Sequence, residues 1–118
     1  AFLKMHPKIE EVLFPFDESF PQYELAKKQM RGACGLFTIV IKTRKREAIV
    51  KFCESLKHIL MAVSWGGHES LVIPKCCGIA PIDFDPGNKE HRYIRMYMGM
   101  EDAPYLISDL EQALSLVE

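Results

Sequence analysis

The sequence predicts a two-layer α+β domain, in which a mostly antiparallel sheet of about four strands carries helices on one face. Segments of helical periodicity alternate with short, β-branched apolar segments along the chain. The strand candidates follow one another too closely for the long crossovers that an all-parallel sheet requires. With 118 residues, 48% of them hydrophobic, the chain is long enough for a single domain with its own core.

The N-terminal part of the chain holds the weakest element signals. Residues 1–6 resemble the tail of a helix that is cut in its middle and closed by Pro7, so we expect a domain that belongs to a longer protein. Residues 9–14 are short and apolar, which predicts an extended segment at a sheet edge, stopped by Pro15. A short helix is expected over residues 23–30.

The middle of the chain alternates strand, helix and strand. Leu36–Ile41 is the clearest strand, because it is apolar, β-branched and opened by Gly35. The apolar run that ends at Ser64 predicts a buried strand over residues 60–64. Between them, residues 46–56 predict a helix with an apolar face formed by Ile49, Val50, Phe52, Cys53 and Leu56.

The C-terminal part predicts one irregular connection, one strand and one helix. Residues 74–89 are rich in Pro and Gly and lack periodicity, so they predict a long connection. Residues 93–98 predict a strand. Residues 102–117 predict an amphipathic helix with Asp102 as its N-cap, and Glu101 beside it as a partner of the helix dipole. The apolar stripe of this helix is Leu106, Leu110, Leu114 and Val117.

Composition argues against several classes of function. The net charge is −1 and the only basic cluster, within residues 42–46, is short, whereas duplex binding needs a basic face. No apolar run reaches the length of a membrane span. The four cysteines match no zinc spacing, and His68 has no second histidine at a ligand interval. The sequence therefore predicts a cytoplasmic protein with reduced thiols and with no metal, nucleic-acid or membrane partner.

The motif Ser64-Trp65-Gly66-Gly67 is the first candidate site. A glycine pair lets the backbone turn sharply or approach a ligand closely, and a turn after a strand is a common position for a binding site. No glycine-flanked nucleophile motif surrounds Ser64, so binding is a better interpretation than nucleophilic catalysis. A structural serine and a core tryptophan remain the alternatives.

Arg95 is the second candidate. Strand alternation places its side chain on the same face as Tyr93 and Tyr97, opposite Ile94 and Met96. A guanidinium at this position points either to solvent or to an anion in a cleft, and spacing alone favours solvent. In a cleft, its planar fork would suit a carboxylate.

Three stretches of the sequence carry a family resemblance that spans nearly the whole chain in order. They are His6-Pro7-Lys8-Ile9 with Leu13-Phe14-Pro15, then residues 30–37, then residues 62–71 together with Ile94-Arg95-Met96 and Gly99-Met100-Glu101-Asp102. Together they resemble the C-terminal domain of the fold-type I, pyridoxal-phosphate-dependent enzymes of cysteine and methionine metabolism. That family includes cystathionine β-lyase, cystathionine γ-lyase, cystathionine γ-synthase and methionine γ-lyase.

The resemblance implies roles for three residues. Arg95 matches the family arginine that holds the α-carboxylate of the amino-acid substrate, and Ser64 matches a serine lining the same pocket. Trp65 stands where many members carry leucine, and it is similar to the indole that walls the pocket of bacterial cystathionine β-lyases. This similarity favours C–S bond cleavage by β-elimination. The resemblance places no catalytic, cofactor-binding or metal-binding residue on this chain.

The resemblance also implies partners. The substrate would be a sulfur amino acid, and pyridoxal 5′-phosphate would be bound by a large domain that is missing here, in a homodimer or homotetramer. Residues 1–118 would then be a substrate-binding C-terminal domain that is inactive when isolated.

The subfamily stays open, because many members continue after Glu-Ser-Leu to a Met-Thr-His that this chain lacks. Cystathionine γ-synthase, cystathionine γ-lyase and methionine γ-lyase are therefore alternatives to β-lyase. Two hypotheses without catalysis also remain. One is a small-molecule-binding regulatory α+β module, and the other is a purely structural or oligomerisation domain.

Overall fold

A computed structural model describes all 118 residues and shows a five-stranded sheet with four α-helices. The strands are β1 (Ile9–Leu13), β2 (Leu36–Ile41), β3 (Leu60–Met61), β4 (Leu71–Pro74) and β5 (Tyr93–Tyr97). The helices are α1 (Phe2–Met5), α2 (Tyr23–Gln29), α3 (Arg46–Ser55) and α4 (Ala103–Ser115). Three short 3₁₀ turns follow β4, at Lys75–Gly78, Pro81–Asp83 and Lys89–Arg92.

The sheet order is β1-β2-β5-β4-β3, so the two central neighbours β2 and β5 are far apart in sequence. The β1–β2, β2–β5 and β5–β4 pairs are antiparallel, and only the short β3 joins its neighbour β4 in parallel. The predicted fold class, a mostly antiparallel sheet in a small α+β domain, is confirmed, with five strands where about four were expected.

One face of the sheet carries the core. In β5, Ile94 and Met96 are fully buried while the residues between them are partly exposed, which is the predicted alternation. Phe52 of α3 and Leu114 of α4 are also fully buried and belong to the same cluster of 17 core residues. The helices therefore cover the face of Ile94 and leave the face of Arg95 uncovered by the core.

The apolar run before Ser64 folds differently from the prediction. Only Leu60–Met61 pairs as a strand, and both residues are exposed at the sheet edge, so the predicted buried strand over 60–64 is wrong. The buried strand of this region is β4, ten residues later. β4 lies between two partners, and three of its four residues, Leu71, Val72 and Pro74, are buried.

A buried carboxylate joins α4 to the chain that leaves α3. Asp109 is 3% exposed and accepts hydrogen bonds from the backbone N–H groups of Lys57, His58 and Ile59 at 2.9, 2.8 and 3.1 Å. The Gln112 side chain donates a fourth bond at 3.0 Å. This cluster fixes the point from which the chain runs into β3 and then into the Ser64 segment.

Two further features concern the helices and the cysteines. No helix of the structure has both the length and the apolar character needed to cross a membrane. All four cysteines are unpaired, with Cys53 and Cys76 buried in the core and Cys34 and Cys77 exposed.

Candidate functional site

Arg95 lies at the centre of the uncovered face of the sheet. It is the middle residue of β5, and its direct neighbours across the sheet are Thr38 of β2 and Ile73 of β4. The backbone of Arg95 is thus held from both sides, while its side chain is only partly buried. A cavity of about 230 Å³ opens beside it, lined by Thr38, Ile73, Pro74, Lys75, Tyr93 and Arg95.

The Arg95 guanidinium contacts the segment that carries the glycine pair. Its Nη2 donates to the carbonyl oxygen of Val63 and, at 3.4 Å, to that of Ser64. Its Nη1 and Nε form no hydrogen bond within the chain. The guanidinium is therefore oriented by backbone oxygens and keeps donors free for an anionic ligand.

A short segment, Val63–Gly67, is held to the sheet from β5 alone. Its residues form no backbone–backbone hydrogen bond, and its hydrogen bonds come from the side chains of Arg95 and Tyr97. The Tyr97 hydroxyl donates to the Gly67 carbonyl at 2.9 Å. Gly66 has a φ of +89°, the left-handed conformation that glycine adopts without strain, so the turn needs a glycine at this position.

The chain after the segment is anchored more tightly. The Met100 N–H donates to the His68 carbonyl at 2.8 Å. Ser70, which is fully buried, donates from its backbone N–H and from Oγ to the Glu101 carboxylate at 2.8 and 2.7 Å, and its Oγ accepts from the Gly99 N–H at 2.9 Å. The chain after β5 therefore fixes the exit of the segment.

Glu101 was expected to be a partner of the dipole of the last helix, with Asp102 beside it as N-cap, and the structure gives its carboxylate a distant hydrogen-bond partner. Asp102 does occupy the N-cap position of α4, but its side chain makes no capping hydrogen bond. Glu101 turns instead to Ser70, which is 31 residues earlier in the chain. The pair could not be found from sequence, because a carboxylate next to a helix start satisfies the local capping rule and gives no sign of a distant partner.

The structure brings two of the three predicted site residues, Arg95 and Ser64, into contact, and the contact uses the backbone of Ser64. The carbonyl oxygen of Ser64 accepts from the Arg95 guanidinium, and the hydroxyl of Ser64 makes no hydrogen bond. Trp65 projects from the turn, 55% exposed, and has no aromatic or hydrogen-bonding partner. It is thus not a core tryptophan.

A larger cavity lies on the helical face and is a weaker candidate. It has a volume of about 500 Å³, and 12 of its 17 lining residues are hydrophobic. Its charged residues already have partners: Lys4 pairs with Asp17 at 2.7 Å, and Glu101 accepts from Ser70. Its charged side chains are therefore not free to orient a ligand, whereas the Arg95 guanidinium keeps free donors at its cavity. The structure contains no group of three or more side chains suited to a metal ion.

Comparison with known proteins identifies the family. The sequence profile of the Cys/Met metabolism PLP-dependent enzymes matches residues 1–115. The chain is 39% identical over 117 residues to cystathionine gamma-lyase of Macaca fascicularis and 38% identical over 121 residues to L-methionine gamma-lyase of Treponema denticola. It is also 34% identical over 118 residues to L-alanine/L-glutamate racemase of Wolbachia pipientis. The chain belongs to the Cys/Met metabolism PLP-dependent enzyme family.

The match covers nearly all of this chain but a minor part of its relatives. The two gamma-lyases are matched over 96% of this chain and 29% of their own length, and the racemase over 97% and 28%. The predicted family is thus confirmed, whereas these relatives give no support to a particular closeness to β-lyase.

The residues around Arg95 do not fit the cofactor that the family name implies. Pyridoxal phosphate needs a lysine for attachment and donors for its phosphate. Lys75 is the one lysine at the Arg95 cavity, and its half-exposed ammonium pairs with Glu90 at 3.4 Å. A basic, fully polar cavity at Arg44 and Arg92 contains the carboxylates of Glu10 and Glu118 and lies at a different place. No cofactor site is therefore assigned to this chain.

Proposed function

We propose that this chain is the substrate-binding C-terminal domain of a larger pyridoxal-phosphate-dependent enzyme that cleaves a C–S bond of a sulfur amino acid. The observation that carries the proposal is the Arg95 guanidinium, which is oriented by two backbone carbonyls and retains Nη1 and Nε without partners beside an open cavity. An α-carboxylate is the part that all amino-acid substrates share, and a planar guanidinium binds it through two parallel hydrogen bonds.

Arg95 would fix the substrate in one orientation. The strand holds the backbone of Arg95 between Thr38 and Ile73, so the guanidinium can serve as a fixed reference point. Holding the carboxylate at one point limits the rotations of the substrate and sets which bond at its α-carbon faces the reacting group. This chain would contribute binding and orientation, and pyridoxal phosphate, when bound, supplies an electron sink for the bond cleavage.

Ser64 and Trp65 would complete the wall of the site. The Ser64 hydroxyl has no partner within the chain, so it is free to donate to a second carboxylate oxygen. Trp65 presents an exposed indole two residues from the Arg95 contact at Val63, a position suited to the apolar side chain of a sulfur amino acid.

The remainder of the enzyme would supply the cofactor. The relatives are more than three times as long as their match to this chain, and the residues here offer no cofactor site. We therefore assign pyridoxal phosphate and its lysine to a large domain of the same protein, and we expect the isolated chain to be inactive. A cytoplasmic homodimer or homotetramer is the assembly that we propose for the complete enzyme.

The position of the cleaved bond has two candidates. The similarity to cystathionine and methionine gamma-lyases favours γ-elimination. The indole at position 65 favours β-elimination, because of its likeness to bacterial β-lyases. Cystathionine separates them, since γ-elimination releases 2-oxobutyrate and β-elimination releases pyruvate, each with ammonia. We expect 2-oxobutyrate as the main product, and pyruvate as the main product would establish the β-lyase instead.

The binding role of Arg95 is tested in the complete enzyme with two substitutions. Arg95→Gln removes the charge and should lower kcat/KM by about 100-fold, on the order of 3 kcal/mol for a charge-assisted bidentate contact. Arg95→Lys keeps the charge without the planar fork and should recover only part of that loss. Arg31→Gln is the matched control, because Arg31 is exposed and forms no ion pair or hydrogen bond. An unchanged kcat/KM in Arg95→Gln would remove Arg95 from the site.

A further inference from the structure

We infer that Tyr97 is a positioning residue of the Arg95 site, which keeps the Val63–Gly67 segment in place while Arg95 engages a carboxylate. This inference rests on the proposed function, because it concerns the same site.

Arg95 and Tyr97 hold opposite ends of one segment. They are two residues apart on β5, so their side chains leave the same face of the strand, roughly 7 Å apart along it. Arg95 reaches the carbonyls of Val63 and Ser64, and Tyr97 reaches the carbonyl of Gly67. Trp65 and Gly66 lie between these two contacts.

No other hydrogen bond holds the segment. The backbone N–H and C=O groups of residues 63–67 have no backbone partner, in contrast to the residues on either side. On the N-terminal side, Ala62 N–H donates to the Val72 carbonyl at 3.1 Å, and on the C-terminal side the His68 carbonyl accepts from Met100 N–H. The five residues thus connect two anchored positions, and only the side chains of Arg95 and Tyr97 form hydrogen bonds to them.

The two supports differ in what a ligand would do to them. A carboxylate bound bidentately bonds Nη2 of Arg95 together with Nε or Nη1, so it competes with the carbonyls of Val63 and Ser64 for the protons of Nη2. The Tyr97 hydroxyl lies at the far end, bonded to Gly67, and faces no such competition. Tyr97 would therefore be the contact that prevents Ser64 and Trp65 from moving away when Arg95 turns to its ligand.

The hydroxyl of Tyr97 can be removed without disturbing the core. Tyr97 is on the face of the sheet opposite Ile94 and Met96, is only partly buried, and its bond to Gly67 lies in an exposed region. Tyr97→Phe retains the ring between Leu36 and Leu71, its neighbours across the sheet. The substitution therefore deletes one hydrogen bond and nothing else.

The test uses the complete, cofactor-loaded enzyme with Tyr97→Phe, and with Tyr105→Phe as matched control. Tyr105 loses an equivalent exposed hydrogen bond, to His58 Nδ1 at 2.6 Å, at a place that does not touch the segment. We expect Tyr97→Phe to raise KM for the sulfur amino acid about 3- to 10-fold and to leave kcat within twofold, because one neutral hydrogen bond is lost. The control should leave both constants unchanged.

A second readout reports on the segment itself. Chymotrypsin cuts after tryptophan, and the Trp65–Gly66 bond becomes accessible when the segment leaves the sheet. Mass spectrometry of this cleavage should show a rate about 3- to 10-fold higher in Tyr97→Phe and unchanged in Tyr105→Phe. A rise in both KM and cleavage rate supports the inference.

Three outcomes would overturn it: an unchanged cleavage rate, faster cleavage with an unchanged KM, or a loss confined to kcat and thermal stability. Arg95→Gln separates this inference from the proposed function. If Arg95→Gln raises KM and Tyr97→Phe does not, only the role of Tyr97 fails. If Arg95→Gln leaves KM unchanged, the carboxylate site itself fails.

Discussion

Ser70 gives both its backbone N–H and its hydroxyl to the carboxylate of Glu101, at 2.8 and 2.7 Å. This pair ties the beginning of β4 to the beginning of α4, immediately after the segment that carries Ser64 and Trp65. Because Ser70 is fully buried, both donors depend on Glu101 for their partner. The pair is the firm anchor from which the less supported segment extends.

Removal of this carboxylate should destabilise the domain. Glu101→Ala leaves two buried donors of Ser70 unsatisfied, at a cost of about 2–3 kcal/mol in the free energy of unfolding. Urea unfolding of the isolated chain measures it, with Glu111→Ala as control on the exposed side of α4. In a double-mutant cycle with Ser70→Ala, the two losses should be clearly non-additive. Additive losses would mean that the pair does not couple.

The strand and helix positions that sequence analysis predicted best are those set by local pattern. β5, α3 and α4 carry their apolar side chains at the expected period, β2 is the expected continuous apolar run, and each of the four lies within its predicted range. The alternation in β5 also predicted the face of Arg95 correctly. Local pattern is sufficient here because β5, α3 and α4 each pack one face on the core, while β2 is recognisable as an apolar run that is buried at Ile39, Val40 and Ile41.

The parts that were missed depend on distant partners. Residues 60–64 are as apolar as a buried strand, yet the sheet ends there, and Leu60 and Met61 remain exposed. Leu71, Val72 and Pro74 are buried because β4 lies inside the sheet between β3 and β5, a position that these four residues alone do not reveal. The contact between Arg95 and the carbonyl of Ser64 spans 31 residues and uses a backbone atom, so no side-chain motif encodes it.

Asp109 should make the stability of the domain pH-dependent. Burial raises the pKa of this carboxyl, but hydrogen bonds from Lys57, His58, Gln112 and Ile59 outweigh burial, so its pKa lies below the ordinary 3.8. A carboxyl whose pKa is lower in the folded state adds to the free energy of unfolding. This contribution is fully present at pH values above the unfolded-state pKa and is lost as the pH falls through the folded-state pKa. The contribution should thus be constant at pH 5–7 and decline below about pH 4.

Asp109→Asn isolates that contribution. The amide should cost about 2–4 kcal/mol at pH 7, since it turns an acceptor into a donor that faces backbone N–H groups. The difference from the unmodified chain should shrink as the pH falls below 3.8, where the carboxyl of the unfolded state becomes protonated first and that of the folded state follows at a lower pH. Urea unfolding from pH 7 to pH 3 measures both effects. Asp83→Asn, at an exposed aspartate whose side chain makes no hydrogen bond, should have no effect. A difference between Asp109→Asn and the unmodified chain that stays constant with pH would contradict the prediction.

Gly99 should not tolerate a side chain. A Cβ at this position would overlap the carbonyl oxygen of His68 and lie 2.7 Å from the carbonyl carbon of Glu69, and both are backbone atoms that cannot rotate away. Gly99→Ala should therefore destabilise the domain by about 2–3 kcal/mol and displace the exit of the Val63–Gly67 segment. At Gly78 a Cβ would meet nothing within 4 Å, so Gly78→Ala should change stability by less than about 0.5 kcal/mol. Equal effects of the two substitutions would show that the close approach is not needed.

Trp65 should affect the substrate and not the fold. Its indole is 55% exposed and has no partner within the domain, so Trp65→Leu should change the free energy of unfolding by less than about 0.5 kcal/mol. If the indole forms a wall of the proposed site, the same substitution in the complete enzyme should lower kcat/KM for cystathionine about 5- to 10-fold, because an apolar contact of this size is worth about 1 kcal/mol. Trp65→Phe retains an aromatic ring and should recover most of the loss, as measured by steady-state release of keto acid. Wild-type kinetics in Trp65→Leu would place the indole outside the substrate site and would remove the argument for a β-lyase that rests on this residue.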